Sequence, residues 1–113
     1  MAAGLLNILI EQGTTFSRTI TINATESTLL DLTGKTLRGQ IRRRLSDAEP
    51  AATFTFTIAN QTTNTGEAQW SLTAAETAAL TADTHRYDIE LVDGTTVTRL
   101  LEGEAFVSGE VTR

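Results

Sequence analysis

The sequence predicts an all-β protein: an antiparallel β-sandwich of seven to eight strands with one short helix near residues 73–81, folded as a single domain over 1–113. Three observations predict it. Apolar residues alternate with polar ones in short runs spaced about ten residues apart, the pattern of half-buried strands in a sandwich. Threonine is abundant and proline occurs once, which suits strands and leaves their ladders uninterrupted. Residues 70–92, WSLTAAETAALTADTHRYDIELV, read as strand, short helix, tight corner and strand, a unit to which the other runs add as sheet.

In chain order, residues 5–11 form a first strand with Leu6, Ile8 and Ile10 on one parity and Leu5, Asn7 and Leu9 on the other. Apolar residues on both faces imply burial on both sides, or one exposed face reserved for a partner. The same apolar start, from Met1 onward, implies an N-terminus held by the sheet or by another chain. After the turn Gln12-Gly13-Thr14, Phe16, Ile20 and Ile22 mark a second strand, in which Arg18 interrupts the apolar parity and is expected to snorkel outward. Residues 23–35 read as a polar loop ending in a turn at Asp31–Lys35, with Gly34 free to take positive φ. A third strand spans 36–45. Phe54, Phe56 and Ile58 alternate with threonines in a fourth, and 59–66 is loop. Asp93-Gly94-Thr95 signals a hairpin, and the final run, 96–108, is long enough to bend, with Gly103 the expected bulge.

Within the 70–92 unit, Thr73 stands three residues before Glu76, the spacing of a capping box. The alanines that follow favour helix but offer little apolar bulk, so Leu80 is expected to anchor it. Asp83 lies four residues before Tyr87, and Tyr87, Ile89 and Leu91 share a face. This spacing resembles the corner between late strands of an immunoglobulin-type sandwich, where an aspartate and a tyrosine pin the turn and the hydroxyl bonds to upstream backbone. The resemblance makes the predicted sandwich immunoglobulin-like. Ile89 stands where antibody domains carry cysteine, so only the corner is carried over.

Chemistry is poorly represented. There are no cysteines, which excludes thiol catalysis, disulfides and zinc–thiolate sites. His85, the sole histidine, is expected on an exposed corner turn, and no nucleophile elbow or His-Glu-x-x-His motif accompanies it. Asp31, Asp83, Asp88 and Asp93 fall at predicted strand ends without calcium-loop spacing, and turn roles account for three of them. No catalytic, cofactor-binding or metal-binding residue is assigned, and no cofactor or small-molecule substrate is expected. A net charge of −5 argues against nucleic acid as the main partner. Residues 1–10 lack a basic leader and are too short to span a bilayer, so no membrane association is expected. Phe16, Phe54, Phe56, Trp70, Tyr87 and Phe106 are read as core.

Two features point outward. Leu5, Leu6, Ile8 and Leu9 form an apolar start, and Arg38, Arg42 and Arg44 make an evenly spaced cationic stripe beside Lys35 and Arg43. The stripe suits a solvated edge strand guarded by charge. It suits equally a docking stripe for an acidic neighbour, such as the Glu90, Glu102 and Glu104 surface of a second copy. These seven residues are the candidate interface, and removing residues 1–10 is expected to abolish assembly while leaving the sandwich folded.

The succession IEQGTTFSRTITI (10–22), LTGKTLRGQIRR (32–43), ATFTFTI (52–58), WSLTAAETAAL (70–80), RYDIELVDG (86–94) and RLLEGEAFVSGEVTR (99–113) resembles small tailed-bacteriophage virion proteins. Their domain is similar to the immunoglobulin-like N-terminal domain of phage baseplate upper proteins. Those patterns are turns and strands, so no active-site position transfers. The resemblance implies a non-enzymatic structural role: an adaptor in a tail, baseplate or fibre that packs in several copies against itself or other virion proteins, in a virion assembled in the host cytoplasm. The sequence stops where baseplate upper proteins continue into receptor-attachment regions, which favours a self-contained adaptor. A stand-alone sandwich module recognising a glycan or surface protein is the alternative, although loops 23–35, 46–51 and 59–66 carry no aromatic residue.

Overall fold

The computed structural model describes residues 3–112, so Met1, Ala2 and Arg113 lie outside the described residues. The elements in chain order are β1 (Gly4–Leu5), β2 (Ile8–Glu11), β3 (Phe16–Thr21), β4 (Asn23–Thr25), β5 (Thr28–Leu29), β6 (Thr36–Arg42), β7 (Ala52–Thr53), β8 (Thr55–Ile58), β9 (Glu67–Leu72), α1 (Ala74–Ala78), β10 (Thr84–Asp93) and β11 (Thr96–Ser108). A larger sheet runs β1-β11-β10-β6-β7, with β2 also pairing β11; a smaller one runs β3-β9-β8. The two sheets enclose the core. Lettered in chain order, β3, β9 and β8 hold the B, E and D places of an immunoglobulin-type sandwich, and β6, β10 and β11 the C, F and G places.

The predicted all-β sandwich is therefore present, and its extra short strands have local causes. The first strand is broken into β1 and β2 at Leu6–Asn7, and β7 and β8 are one run that leaves the larger sheet at Gln40, opposite Thr53, and joins the smaller at Ser71, opposite Thr55. At the switch, Phe54 N–H still donates to the Gly39 carbonyl at 3.0 Å. This crossing closes one side of the sandwich. The predicted loop 23–35 contains the small hairpin β4–β5. One departure concerns direction: β1 and β2 pair with β11 in parallel, so the sandwich is not wholly antiparallel.

The corner between β9 and β10 follows its sequence signals. Thr73 Oγ1 accepts from Glu76 N–H at 3.1 Å and Glu76 Oε1 accepts from Thr73 N–H at 2.8 Å, the reciprocal capping box. Leu80 is buried as the anchor. Thr77 is buried too, and its hydroxyl donates to the Thr14 carbonyl at 2.7 Å and accepts from Gly13 N–H at 3.0 Å, tying the helix to the β2–β3 turn. At the other end, Gly34 takes φ +78° in the Asp31–Lys35 turn, where both Thr33 N–H and its hydroxyl donate to Asp31 Oδ1.

Tyr87 corrects the expected corner. Its hydroxyl donates to the Leu6 carbonyl at 2.6 Å, so it pins the N-terminal strand rather than the turn before β10. Burial raises its pKa to about 12, which keeps the donor proton in place. Directly opposite on β11 is Gly103, where a Cβ would lie 2.1 Å from the Leu6 carbonyl oxygen. Only glycine lets the chain cross here between β1 and β2. The expected bulge is accordingly not at Gly103. It falls at Leu100, between the pairs Ile89–Leu101 and Glu90–Arg99. Its effect is a change of parity: Leu100 and Leu101 pack toward the core while Arg99 and Glu102 share the outer face. Without that extra residue, Arg99 would point inward.

The core is aromatic at its centre. Trp70 stacks on Tyr87 with ring centroids 5.7 Å apart, and Phe54 and Phe16 meet Trp70 edge-on at 5.0 and 5.4 Å. Arg18 does reach outward, its guanidinium 4.6 Å over the Phe16 ring. His85 departs from expectation: only 1% exposed, it lies within β10 opposite Ala105, with Nδ1 3.1 Å from the Asp83 carbonyl. Phe106 departs the other way. It is 50% exposed and belongs to the outer face, not the core.

Candidate assembly surface

Strand register determines what the outer face of the larger sheet displays. Residues directly opposite on paired strands point to the same face, so outward positions form rows across the sheet. One row is Arg42, Arg86 and Glu104; the next is Gln40, Asp88, Glu102 and Leu5; the third is Arg38, Glu90 and Arg99. Beyond the first row, Thr84, Phe106 and Leu9 stand together, and beyond the third, Val92 and Val97. The face is thus a mosaic of charge with apolar residues at both ends and along the β1–β2 edge.

Leu5 is 78% exposed, Leu9 49% and Val97 46%, which with Phe106 places four large apolar side chains in solvent on this one face. Of the predicted interface residues, Leu5 and Leu9 lie here. Ile8 does not. It is 8% exposed and packed in the core with Ile10, so the apolar start has one buried and one outward parity, and Ile8 leaves the candidate set. Leu6, at the kink, is exposed toward a groove between the sheets instead. Because Ile8 and Ile10 are core and β2 is a full partner of β11, deleting residues 1–10 would remove core as well as surface, contrary to the expectation that the sandwich would survive.

The arginine stripe is also redrawn. Arg38 Nε bonds Glu90 Oε1 at 2.8 Å within the same chain, so the acidic neighbour expected on a second copy is already the adjacent strand. Arg99 lies 3.3 Å from Asp88, 3.9 Å from Glu90 and 3.6 Å from Glu102. Arg42 donates to the Asp47 carbonyl and to Gln40 Oε1. β6 ends at Arg42, which puts Arg44 in the following bend, exposed and outside the stripe. Beside it Leu45 overhangs a shallow depression bordered by Arg42, Arg86 and Glu102. Arg42, Arg44, Arg86 and Glu104 make no ion pair among the described residues. Asp88 has its pKa raised, first by burial and then by Glu90, with Arg99 opposing.

Two aspartates away from this face have structural partners. Asp83 pairs with Arg43 at 2.7 Å and accepts from Thr84 N–H, and these contacts hold its carboxyl below the usual range, the backbone bond foremost. Asp93 lies 4.0 Å from Lys35. Among the described residues no three metal-ligating side chains converge, and no helix is long and apolar enough to cross a membrane.

The residues that sequence reasoning missed on this face are Phe106, Val97 and Arg86. For Phe106 a signal existed, since it shares strict alternation with Glu102 and Glu104. Val97 could not be placed without the bulge that reverses parity at Leu100.

No family model matches the chain, and no curated protein matches it.

Proposed function

We propose that this protein is a non-enzymatic structural component of a tailed-phage virion, an adaptor of the tail, baseplate or fibre, and that it assembles through the outer face of its larger sheet. The observation that carries the reading is the presence of Leu5, Leu9, Val97 and Phe106, all in solvent, around a mosaic of charge on the outer face of one sheet. Such patches mark interaction surfaces, with the apolar residues supplying affinity and the charges supplying register. The resemblance of the strand and turn patterns to phage virion proteins supplies the setting. Other virion proteins or further copies of the chain are the partners, and neither nucleic acid nor a small-molecule substrate enters.

Affinity purification of tagged protein from phage-producing cells tests this. Tail or baseplate proteins should co-purify with the wild type and be lost with the exposed-face variant Leu5→Glu/Phe106→Glu, which leaves the core intact. Co-purification unaffected by that variant refutes the proposed face.

One observation favours the second reading, a sandwich module that binds a ligand of its own. The side of the sandwich opposite the β7–β8 crossing is open between Leu6, Leu100 and Leu101 on one sheet and residues 19–23 on the other, with Trp70 in its wall. The Trp70 indole N–H is buried without an acceptor among the described residues. Glycan-array binding by the monomer would favour this reading.

A further inference from the structure

The smaller sheet ends at β3, which pairs with β9 on one side and with no strand on the other. Register decides which of its backbone groups are free. Ile22 N–H donates to the Gly66 carbonyl at 2.8 Å and continues the pairing of Phe16–Thr21 with β9, so Phe16, Arg18, Ile20 and Ile22 turn their backbone groups toward β9. The far side of β9 agrees. Ala59 N–H donates to the Glu67 carbonyl at 3.0 Å, which directs Glu67, Gln69 and Ser71 to β8 and leaves Ala68, Trp70 and Leu72 for β3. Ser17, Thr19 and Thr21 therefore point their N–H and C=O groups out of the sheet edge. All three are exposed, and among the described residues only the Ser17 carbonyl has a partner there, Arg18 Nη1 at 3.0 Å.

Proteins cover or guard such edges. This one borders a groove. Residues 19–23 form one bank, Leu6, Leu100 and Leu101 the other, and Trp70 lies in the wall; the space is about 360 Å³, within the range of ligand sites. The Trp70 indole N–H is buried there without an acceptor among the described residues. Arg18 stands opposite Trp70 and so has its inward parity, yet it is exposed, lies 4.6 Å over the Phe16 ring and makes no ion pair among the described residues. As a guard it covers one end alone, because its hydrogen bond reaches back to Ser17 and leaves Thr19 to Thr21 open.

A bare ladder edge is matched by another backbone, since an extended chain presents N–H and C=O groups at the same repeat. The one aromatic residue lining the groove, Trp70, is 1% exposed and offers no open ring face to a sugar. Side chains add selectivity. The residue of an incoming strand that stands opposite Ile20 faces Leu6, Leu100 and Leu101, which suits an apolar side chain. The residue opposite Arg18, two positions along on the same face, meets an unpaired guanidinium, which suits a carboxylate. β3 of a second copy brings no carboxylate to that place, because Phe16–Thr21 contains none. We infer that β3 accepts an extended strand from another protein, which pairs along Ser17–Thr21, lays an apolar side chain into the groove beside Ile20 and sets an acidic one against Arg18. This rests on the second reading above, that the open side holds a ligand, and gives that ligand a chemical class; it does not depend on the outer face of the larger sheet.

Selection of the purified full chain against a library of displayed short peptides is the test, with synthetic copies of the enriched peptides read by the fluorescence of Trp70, the sole tryptophan, and by amide hydrogen exchange. Enriched peptides should carry an acid two positions from an apolar residue, bind with Kd below about 100 μM and, at saturation, slow exchange of the Thr19 and Thr21 amides at least about tenfold. Thr19→Pro removes an N–H that faces away from β9, so the native ladder survives, and it should weaken binding at least about tenfold. Arg18→Glu should weaken it likewise and recover it for peptides with lysine in place of the acid, which decides the matter should Thr19→Pro fold poorly by circular dichroism. The inference is overturned by a selection that yields nothing tighter than about 100 μM, by ligands that leave the Thr19 and Thr21 amides unprotected, or by folded Thr19→Pro binding as wild type does. Peptide-free protein that dimerises in sedimentation velocity with those amides protected would replace the other protein by a second copy and overturn it too. Failure to take any peptide, with glycan-array binding present, would sink the strand and leave the second reading standing.

Discussion

Gly103→Ala puts the link between the N-terminal strand and the rest of the sandwich under direct test. A Cβ at this position would lie 2.1 Å from the Leu6 carbonyl oxygen and 2.7 Å from its carbon, backbone atoms that cannot rotate away. The chain at Leu6–Asn7 must shift, and with it the Tyr87 hydroxyl bond to the Leu6 carbonyl and the Leu6 N–H bond to the Glu102 carbonyl at 2.9 Å. Overpacking costs about 1–3 kcal/mol and a weakened buried hydrogen bond about 1 kcal/mol, so the loss should be about 2–4 kcal/mol. For a domain of this size that lowers Tm by roughly 8–16 °C, read by thermal circular dichroism. Gly109→Ala is the control, since a Cβ there makes only an ordinary 3.7 Å contact with Ala82. A Gly103→Ala Tm within about 2 °C of wild type would refute the account of the kink.

Trp70→Ala should cost about 3–5 kcal/mol in denaturant unfolding, since the indole is buried between Phe16, Phe54 and Tyr87; an unchanged midpoint would contradict its central place. Thr77→Val keeps the shape but leaves Gly13 N–H and the Thr14 carbonyl without their partner, and should lose about 1–3 kcal/mol by the same assay. Asp83 is held below its ordinary pKa, so its stabilisation is fully present above the unfolded value near about pH 4 and disappears as pH falls through the folded value. Asp83→Asn should therefore be less stable than wild type at neutral pH and converge on it in acid, a trend that urea titrations across pH would display.

What was legible in the sequence is what local pattern encodes. The capping box, the Asp93–Thr95 hairpin and the alternation of Phe54, Phe56 and Ile58 each depend on neighbours a few residues away, and the sandwich follows from their number and spacing. What was not legible depends on pairing between distant segments. The arginine stripe looked unpartnered because Glu90 lies fifty-two residues from Arg38, adjacent only once β6 and β10 pair. His85 reads as exposed because its turn-like neighbours extend the corner through it, whereas the corner ends at Asp83, two residues earlier, which starts β10 at Thr84 and sends the ring inward. Phe106 looked like core because aromatic residues usually are; its parity with two glutamates said otherwise. The bulge at Leu100 has no glycine to announce it. Glycine stands instead three residues on, where the backbone of Leu6 passes.

Hydroxyl-radical footprinting of the free chain and of the chain within purified particles reads side-chain access residue by residue and so reports directly on which face is covered on assembly. Phe106, Leu5, Leu9 and Val97 should be oxidised in the free chain and protected on assembly, while Leu29 and Val111, exposed elsewhere, should keep their reactivity. Unchanged oxidation of Phe106 and Leu5 in the particle, with protection falling on other surfaces, would contradict assembly through the outer face of the larger sheet.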